Sequence, residues 1–289
     1  MAEHEDRILA VDNMKGGVLK TTVTCNVGAV LASKGLDVLI FDLDAQGHVA
    51  LDLGLTQKGE GDNGKSILNM FVSGTPVEVI KGVRPGIDVV AGGVELKKVP
   101  PFLAMQAAMN PGKPTMGALR EELKRLAPRY DVILIDCPPG DSLLKQEIYA
   151  ATRWVLFVSK PDRGSMDGLV EAASLLEQIN PINPNVDILG AVVTDVDGNG
   201  KAIAEESRAY LQQLLGDVAP SFVTTIRHVQ KASIQMRDQG RTSVELSRVA
   251  QYGEDKTKEL TSIDRLYLEF DRLAEEIARR FEELAKENV

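Results

Sequence analysis

Seven short runs of apolar, mostly β-branched residues recur along this chain, at 7–12 (RILAVD), 37–44 (DVLIFDLD), 87–93 (IDVVAGG), 131–140 (DVILIDCPPG), 154–161 (WVLFVSKP), 187–196 (DILGAVVTDV) and 221–227 (SFVTTIR). Near-continuous runs of this kind suit strands buried on both faces, as in a parallel sheet. Segments with helical periodicity separate most of them, at 21–33, 115–126, 166–178 and 202–215. Strand alternating with helix predicts an α/β fold: a doubly wound, mostly parallel sheet with helices on both faces. We expect a single domain over residues 1–289, with its core at about 7–244 and a long amphipathic C-terminal helix at about 262–287.

The remaining composition mainly excludes. No apolar run approaches the roughly 18–20 residues of a membrane-spanning helix. The opening MAEHEDR is acidic and polar, unlike a secretory signal, so a cytoplasmic protein is expected. Two cysteines, Cys25 and Cys137, lie in unrelated contexts and form neither a disulfide framework nor a zinc spacing. A net charge of −9 argues against a surface that coats nucleic acid, while leaving room for a local basic patch. Residues 58–65 (KGEGDNGK) read as a polar loop, and the methionine-rich 100–114 as a surface helix between prolines whose methionines serve packing.

The chemistry concentrates where the first strand runs into NMKGGVLKTT and then into a helix beginning near Lys20. Backbone N–H groups at a helix start, with the positive end of its dipole, form an anion site. Glycines let such a backbone wrap around phosphates. Against the pattern G-x-x-x-x-G-K-[ST], Lys20 and Thr21 are intact, Gly16 and Gly17 are present, and Leu19 replaces the last glycine. Lys20 would reach the β- and γ-phosphates and the Thr21 hydroxyl would ligate Mg²⁺. Asp44 in DLDAQGH and Asp136 in ILIDCPPG end two further apolar strands, where ligands of such sheets bind. If the loop needs a positive φ at position 19, a β-carbon there costs about 1–2 kcal/mol. If the glycine instead admits a phosphate, the leucine must point away from it.

Residues 15–22 resemble the deviant Walker A motif, KGGxGK[ST], of the ParA/MinD group of P-loop ATPases, whose mark is the early lysine, here Lys15. DLDAQGH is similar to that group's switch I, DxDPQGN, with Ala45 for proline and His48 for asparagine, and DCPPG matches its Walker B and switch II start. KPDRGSMDGL (160–169) and TTIRHVQKASIQMRDQGRTSV (224–244) resemble stretches of the ParA branch. The resemblance implies ATP and Mg²⁺ as cofactors and a homodimer sandwiching two nucleotides. It implies a nucleotide site at Lys15, Gly16, Gly17, Val18, Leu19, Lys20, Thr21 and Thr22. Lys15 would reach across to the partner's nucleotide, Thr22 would help hold the α-phosphate, and Asp44 would orient the attacking water. Thr21, Asp44 and Asp136 would form the metal side of the site. Thr194, Asp195 and Thr225–Arg227 are candidates for the adenine pocket.

Within the group, a lipid-binding C-terminal helix should be basic on its polar face, whereas this one is rich in Asp and Glu, so no membrane partner is expected. The iron-cluster relatives need cluster cysteines and the flagellar-number relatives an N-terminal extension. With only a few residues before the first strand, operator binding is not expected. From 227 to 258 seven bases face four acids. Arg227, Lys231, Arg237, Arg241 and Arg248 could therefore contact phosphates of non-specific DNA, and a dimer would double the patch. The expectation is a ParA-type DNA-partition ATPase, nucleoid-associated when ATP-bound and stimulated by a ParB-like centromere-binding protein. The alternatives are a ParA-like positioning ATPase for a non-DNA cargo, a hydrolysis-deficient switch damaged at Leu19, and an ATP-dependent ligase using the same loop.

Overall fold

A computed structural model describes residues 4–110, 116–140, 142–197, 200–253 and 259–287. Its strands are β1 (Ile8–Asp12), β2 (Val38–Asp42), β3 (Ile80–Arg84), β4 (Ile87–Val90), β5 (Val132–Asp136), β6 (Trp154–Ser159), β7 (Asp187–Val196) and β8 (Ser221–Arg227). They form one eight-stranded sheet in the order β3-β4-β2-β5-β1-β6-β7-β8. Every neighbouring pair is parallel except β3 with β4.

The central strands are buried along their whole length, as continuous apolar runs require. Alternate residues serve opposite faces: Ile8 and Ala10 join one core, Leu9 and Val11 the other. The first core takes residues from the helices Ala118–Leu126, Leu143–Ala151 and Arg163–Ile179. The second takes residues from Lys20–Ser33, Gln230–Gln239 and the C-terminal helix Ser262–Glu287. The doubly wound architecture expected from the sequence is therefore present.

The C-terminal helix buries Leu266, Phe270, Leu273 and Ile277 in its own domain. Two of its acids also cover the sheet edge. Glu276 accepts from the Val223 and Thr224 N–H groups at 2.7 and 2.8 Å, and Glu269 from that of Arg227 at 3.0 Å. Outward N–H groups of an edge strand are thereby paired, which removes a template for strand addition.

Two features depart from expectation. β3 is an additional edge strand; its sequence, IKGVR, buries only Val83 and gives no apolar run. The 100–114 segment does contain a helix, Val99–Met109, but Met105 and Met109 are 51% and 72% exposed, so these methionines do not fill a core. Residues 111–114 lie outside the described residues.

Candidate nucleotide site

β1 lies between β5 and β6, where the chain's winding switches sides of the sheet, and its C-terminal end opens into the loop that precedes the helix Lys20–Ser33. Ligands of open α/β sheets bind at such a point. The helix has no side-chain cap, so its first N–H groups remain available to an anion. Its N-cap is Leu19, at φ 70° and ψ 24°. The loop thus does require the left-handed backbone that a glycine adopts without cost, and Leu19 adopts it at about 1–2 kcal/mol. Its half-buried side chain lines a cavity of about 170 Å³ with Thr22, Cys25, Met236 and Arg241, and its carbonyl still accepts the first helical bond, from Val23 N–H at 2.9 Å.

Lys20 is buried, and its Nζ donates to the carbonyls of Asn13 and Lys15, both at 3.1 Å. Burial lowers its pKa, against the pull of Asp12 and Asp136. Thr21 Oγ1 donates to Asp136 Oδ2 at 2.6 Å. Asp136 is fully buried, and its Oδ1 meets no hydrogen-bond partner among the described residues. Burial pushes its pKa up to about 7, despite the Thr21 hydrogen bond and the Lys20 charge. A buried carboxylate with one unpaired oxygen beside a hydroxyl fits a hard cation. Among the described residues, no group of three or more His, Cys, Asp or Glu side chains could hold a metal by itself. Mg²⁺ keeps waters and shares phosphate oxygens rather than needing an all-protein cage. Thr21 and Asp136 would hold it, and when bound it would neutralise charge on the phosphates.

Asp44 is half-buried in an Asx turn: Oδ1 accepts from Gln46 N–H at 2.9 Å, and the Asp44 N–H donates to Asp42 Oδ1 at 3.0 Å. Sequence reasoning passed over Asp42, which is fully buried and lies opposite Asp136 in the β2–β5 register. Burial, then the Asp136 charge, pushes its pKa well above the carboxylate range. The DxD pattern contained the signal, because the first Asp ends the strand and shapes the turn that presents the second.

Lys15 is exposed, and its Nζ meets Asp162 Oδ1 at 2.6 Å. Asn13 anchors the loop, its Nδ2 donating to the carbonyls of Val158 and Ser165 at 2.9 and 3.0 Å. Gly168 permits this approach, since a β-carbon there would lie 2.5 Å from Asn13 Oδ1. Nothing in the sequence singled out Asn13, Asp162 or Gly168 for these contacts.

The remaining candidates separate. Thr194 is fully buried, and its hydroxyl donates to Val18 O at 2.9 Å, which ties β7 to the phosphate loop. Asp195, at φ 60°, is held by Lys160 at 2.5 Å and by His228 at the ligand edge of the sheet. Arg227 is bound to Glu269 at 2.5 Å, tying β8 to the C-terminal helix. Arg237 pairs with Asp52 at 2.8 Å and Arg248 with Asp264 at 3.4 Å. Lys231 and Arg241 are exposed and have no ion pair among the described residues. Lys256 and Lys258, counted among the bases of this stretch, lie outside the described residues.

The AAA-domain family model matches residues 6–188, more than half of the chain. The chromosome-partitioning ATPase Soj of Thermus thermophilus is 32% identical over 212 residues, covering 73% of this chain and 78% of that protein. The chromosome partitioning protein ParA of Caulobacter vibrioides is 29% identical over 218 residues, with 73% and 78% covered. Among solved structures, an ATP complex of a Cyanothece McdA variant superposes with a TM-score of 0.73 at 16% identity, covering 94% of this chain and 96% of that one, a likeness of fold. In the described residues, no helix is long and apolar enough to cross a membrane. With its early loop lysine, its DxD turn and its strand-ending Asp136 gathered at one sheet edge, this chain belongs to the ParA/MinD group of P-loop ATPases, on the ParA side, and is an ATPase.

Proposed function

We propose that this protein is a ParA-type partition ATPase in which Mg·ATP joins two copies into a sandwich dimer that grips DNA without reading its sequence. A ParB-like centromere-binding partner then stimulates hydrolysis and releases the dimer from the nucleoid. The observation that carries this reading is Lys15, whose backbone belongs to the phosphate loop while its ammonium stays exposed and bound to a surface acid. A lysine so placed can serve a second protomer's nucleotide by exchanging one exposed partner for another. Within each protomer Lys20 takes the β- and γ-phosphates, Thr22 the α-phosphate, Thr21 and Asp136 the Mg²⁺ ion, and Asp44 the attacking water. Positioning and charge stabilisation of this kind are what phosphoryl transfer requires.

Lys231 and Arg241 are the foremost DNA contacts, and the exposed Arg237 and Arg248 can exchange carboxylates for phosphates. The test is binding to random-sequence duplex with Mg·ATP, with Mg·ADP and without nucleotide, across a salt series. Binding that requires ATP and weakens steeply with salt is expected. Equal weak binding in all three states would sink the DNA part of the proposal.

A second reading, ATP-driven positioning of a non-DNA cargo, keeps the same nucleotide chemistry. It is favoured by the ion pairing of Arg227, Arg237 and Arg248, which reduces the unpaired basic patch. Isolation of the partner with the ATP-locked dimer separates the two: a centromere-binding protein supports partition, and a cargo adaptor supports positioning.

A further inference from the structure

Behind the phosphate loop lies a buried ion pair that the nucleotide chemistry above does not use. Asp12, the last residue of β1, and Lys145, on the helix Leu143–Ala151, are both fully buried and meet at 2.8 Å. Tyr149, one turn further along that helix, donates its hydroxyl to the other Asp12 oxygen. Lys145 Nζ also lies 3.4 Å from Asn13 O and 3.3 Å from Met14 Sδ. The same Asn13 carbonyl accepts from Lys20 Nζ at 3.1 Å. Two ammonium groups therefore converge on one buried carbonyl, one from the phosphate loop's helix and one from the helix that follows the 137–140 turn.

A buried ion pair is weak grounds for stability, because desolvating two charges offsets most of their attraction. Its location says more. When Lys20 turns towards a phosphate it gives up Asn13 O, and a buried carbonyl left without a donor would weaken binding. The Lys145 donor remains behind to satisfy it.

We propose that Lys145, held by Asp12 and Tyr149, is a positioning residue of the phosphate loop that keeps the Asn13 carbonyl hydrogen-bonded while Lys20 engages the nucleotide. This rests on the assignment of Lys20 as the phosphate lysine. The test is the double variant Asp12→Leu/Lys145→Met, which removes both charges together and leaves no lone buried ion. Its melting temperature is expected to stay within a few degrees of wild type. Its Kd for Mg·ATP, read with a fluorescent ATP analogue, should rise about tenfold, the loss expected for one orphaned carbonyl, while kcat at saturating ATP stays within about twofold.

Such a split between binding and turnover, at unchanged stability, is not what a purely structural pair would give. An unchanged Kd, or a fall in kcat alone, would overturn the proposal. Wild-type protein titrated alongside separates the two failures: no binding by wild type sinks the Lys20 assignment, whereas equal binding by both proteins sinks only the role of Lys145. If the double variant does not fold, Tyr149→Phe replaces it. A twofold to threefold weaker Kd would then support the positioning role, and an unchanged Kd would overturn it.

Discussion

Asp42 and Asp136 stand opposite each other on the parallel strands β2 and β5, both without solvent exposure, and the Asp136 charge adds to the burial that raises the Asp42 pKa. Like charges buried side by side oppose stability, and a fold retains them where a cation is to be bound. Asp136→Asn should therefore separate stability from activity. Mg²⁺-dependent hydrolysis is expected to fall by roughly 10²-fold or more, as for loss of a group that supports transition-state charge. Resistance to urea at pH 8 should rise by on the order of 1–2 kcal/mol, because one buried charge is removed. A variant that lost stability and kept its activity would contradict both halves.

The exposed Lys15–Asp162 pair leads to the opposite expectation. Surface ion pairs contribute about 0–1 kcal/mol, so Lys15→Ala should melt almost as wild type does. Mg·ATP binding by the monomer should persist, while the proposed ATP-dependent dimer should fail to form, as read by size-exclusion chromatography or light scattering. Retention of the dimer would remove Lys15 from the interface between nucleotides.

Leu19 permits a comparison in which the order of two variants matters more than either value. At φ 70° a β-carbon is strained, so Leu19→Ala keeps the strain and loses the contacts of the side chain with its cavity. Leu19→Gly loses the same contacts but relieves the backbone. The glycine variant should accordingly be the more stable of the two by about 1 kcal/mol in urea melts, reversing the usual ranking within and beside helices. If alanine were the better residue, the left-handed conformation at position 19 would be refuted.

The sequence disclosed those parts of the fold that depend on continuous burial. β1, β2, β5 and β6 are apolar on both faces because helices cover both, and that pattern survives in the linear chain. β3 lacks such burial and so has no linear signal; its position follows from antiparallel pairing with β4. The phosphate loop was legible because its glycines, lysine and threonine are adjacent in sequence. The contacts of Lys145, Asp162 and Thr194 with the loop were not, since the sheet brings them there from 130 or more residues away. A buried lysine reads in sequence as an ordinary solvated one, and only its ion pair with Asp12 reveals its place.

Glu147 provides a pH signature independent of nucleotide. It is fully buried on the helix Leu143–Ala151, where its carboxyl accepts from Gly117 N–H at 2.9 and 3.2 Å. Burial raises its pKa to about 7 against that hydrogen bonding. The folded protein thus binds a proton at this site that the unfolded chain, with an ordinary glutamate, releases at about pH 4.3. The contribution to stability is complete below the unfolded value and is lost as pH rises through the folded one, amounting to at most about 4 kcal/mol. Glu147→Gln keeps an acceptor for Gly117 and cannot ionise, so melts from pH 5 to pH 8 should fall less steeply for the variant than for wild type. Asp42 and Asp136 carry the same sign and are common to both proteins, so the difference between the two curves isolates Glu147. Parallel curves would mean that its carboxyl titrates alike in the folded and unfolded chains.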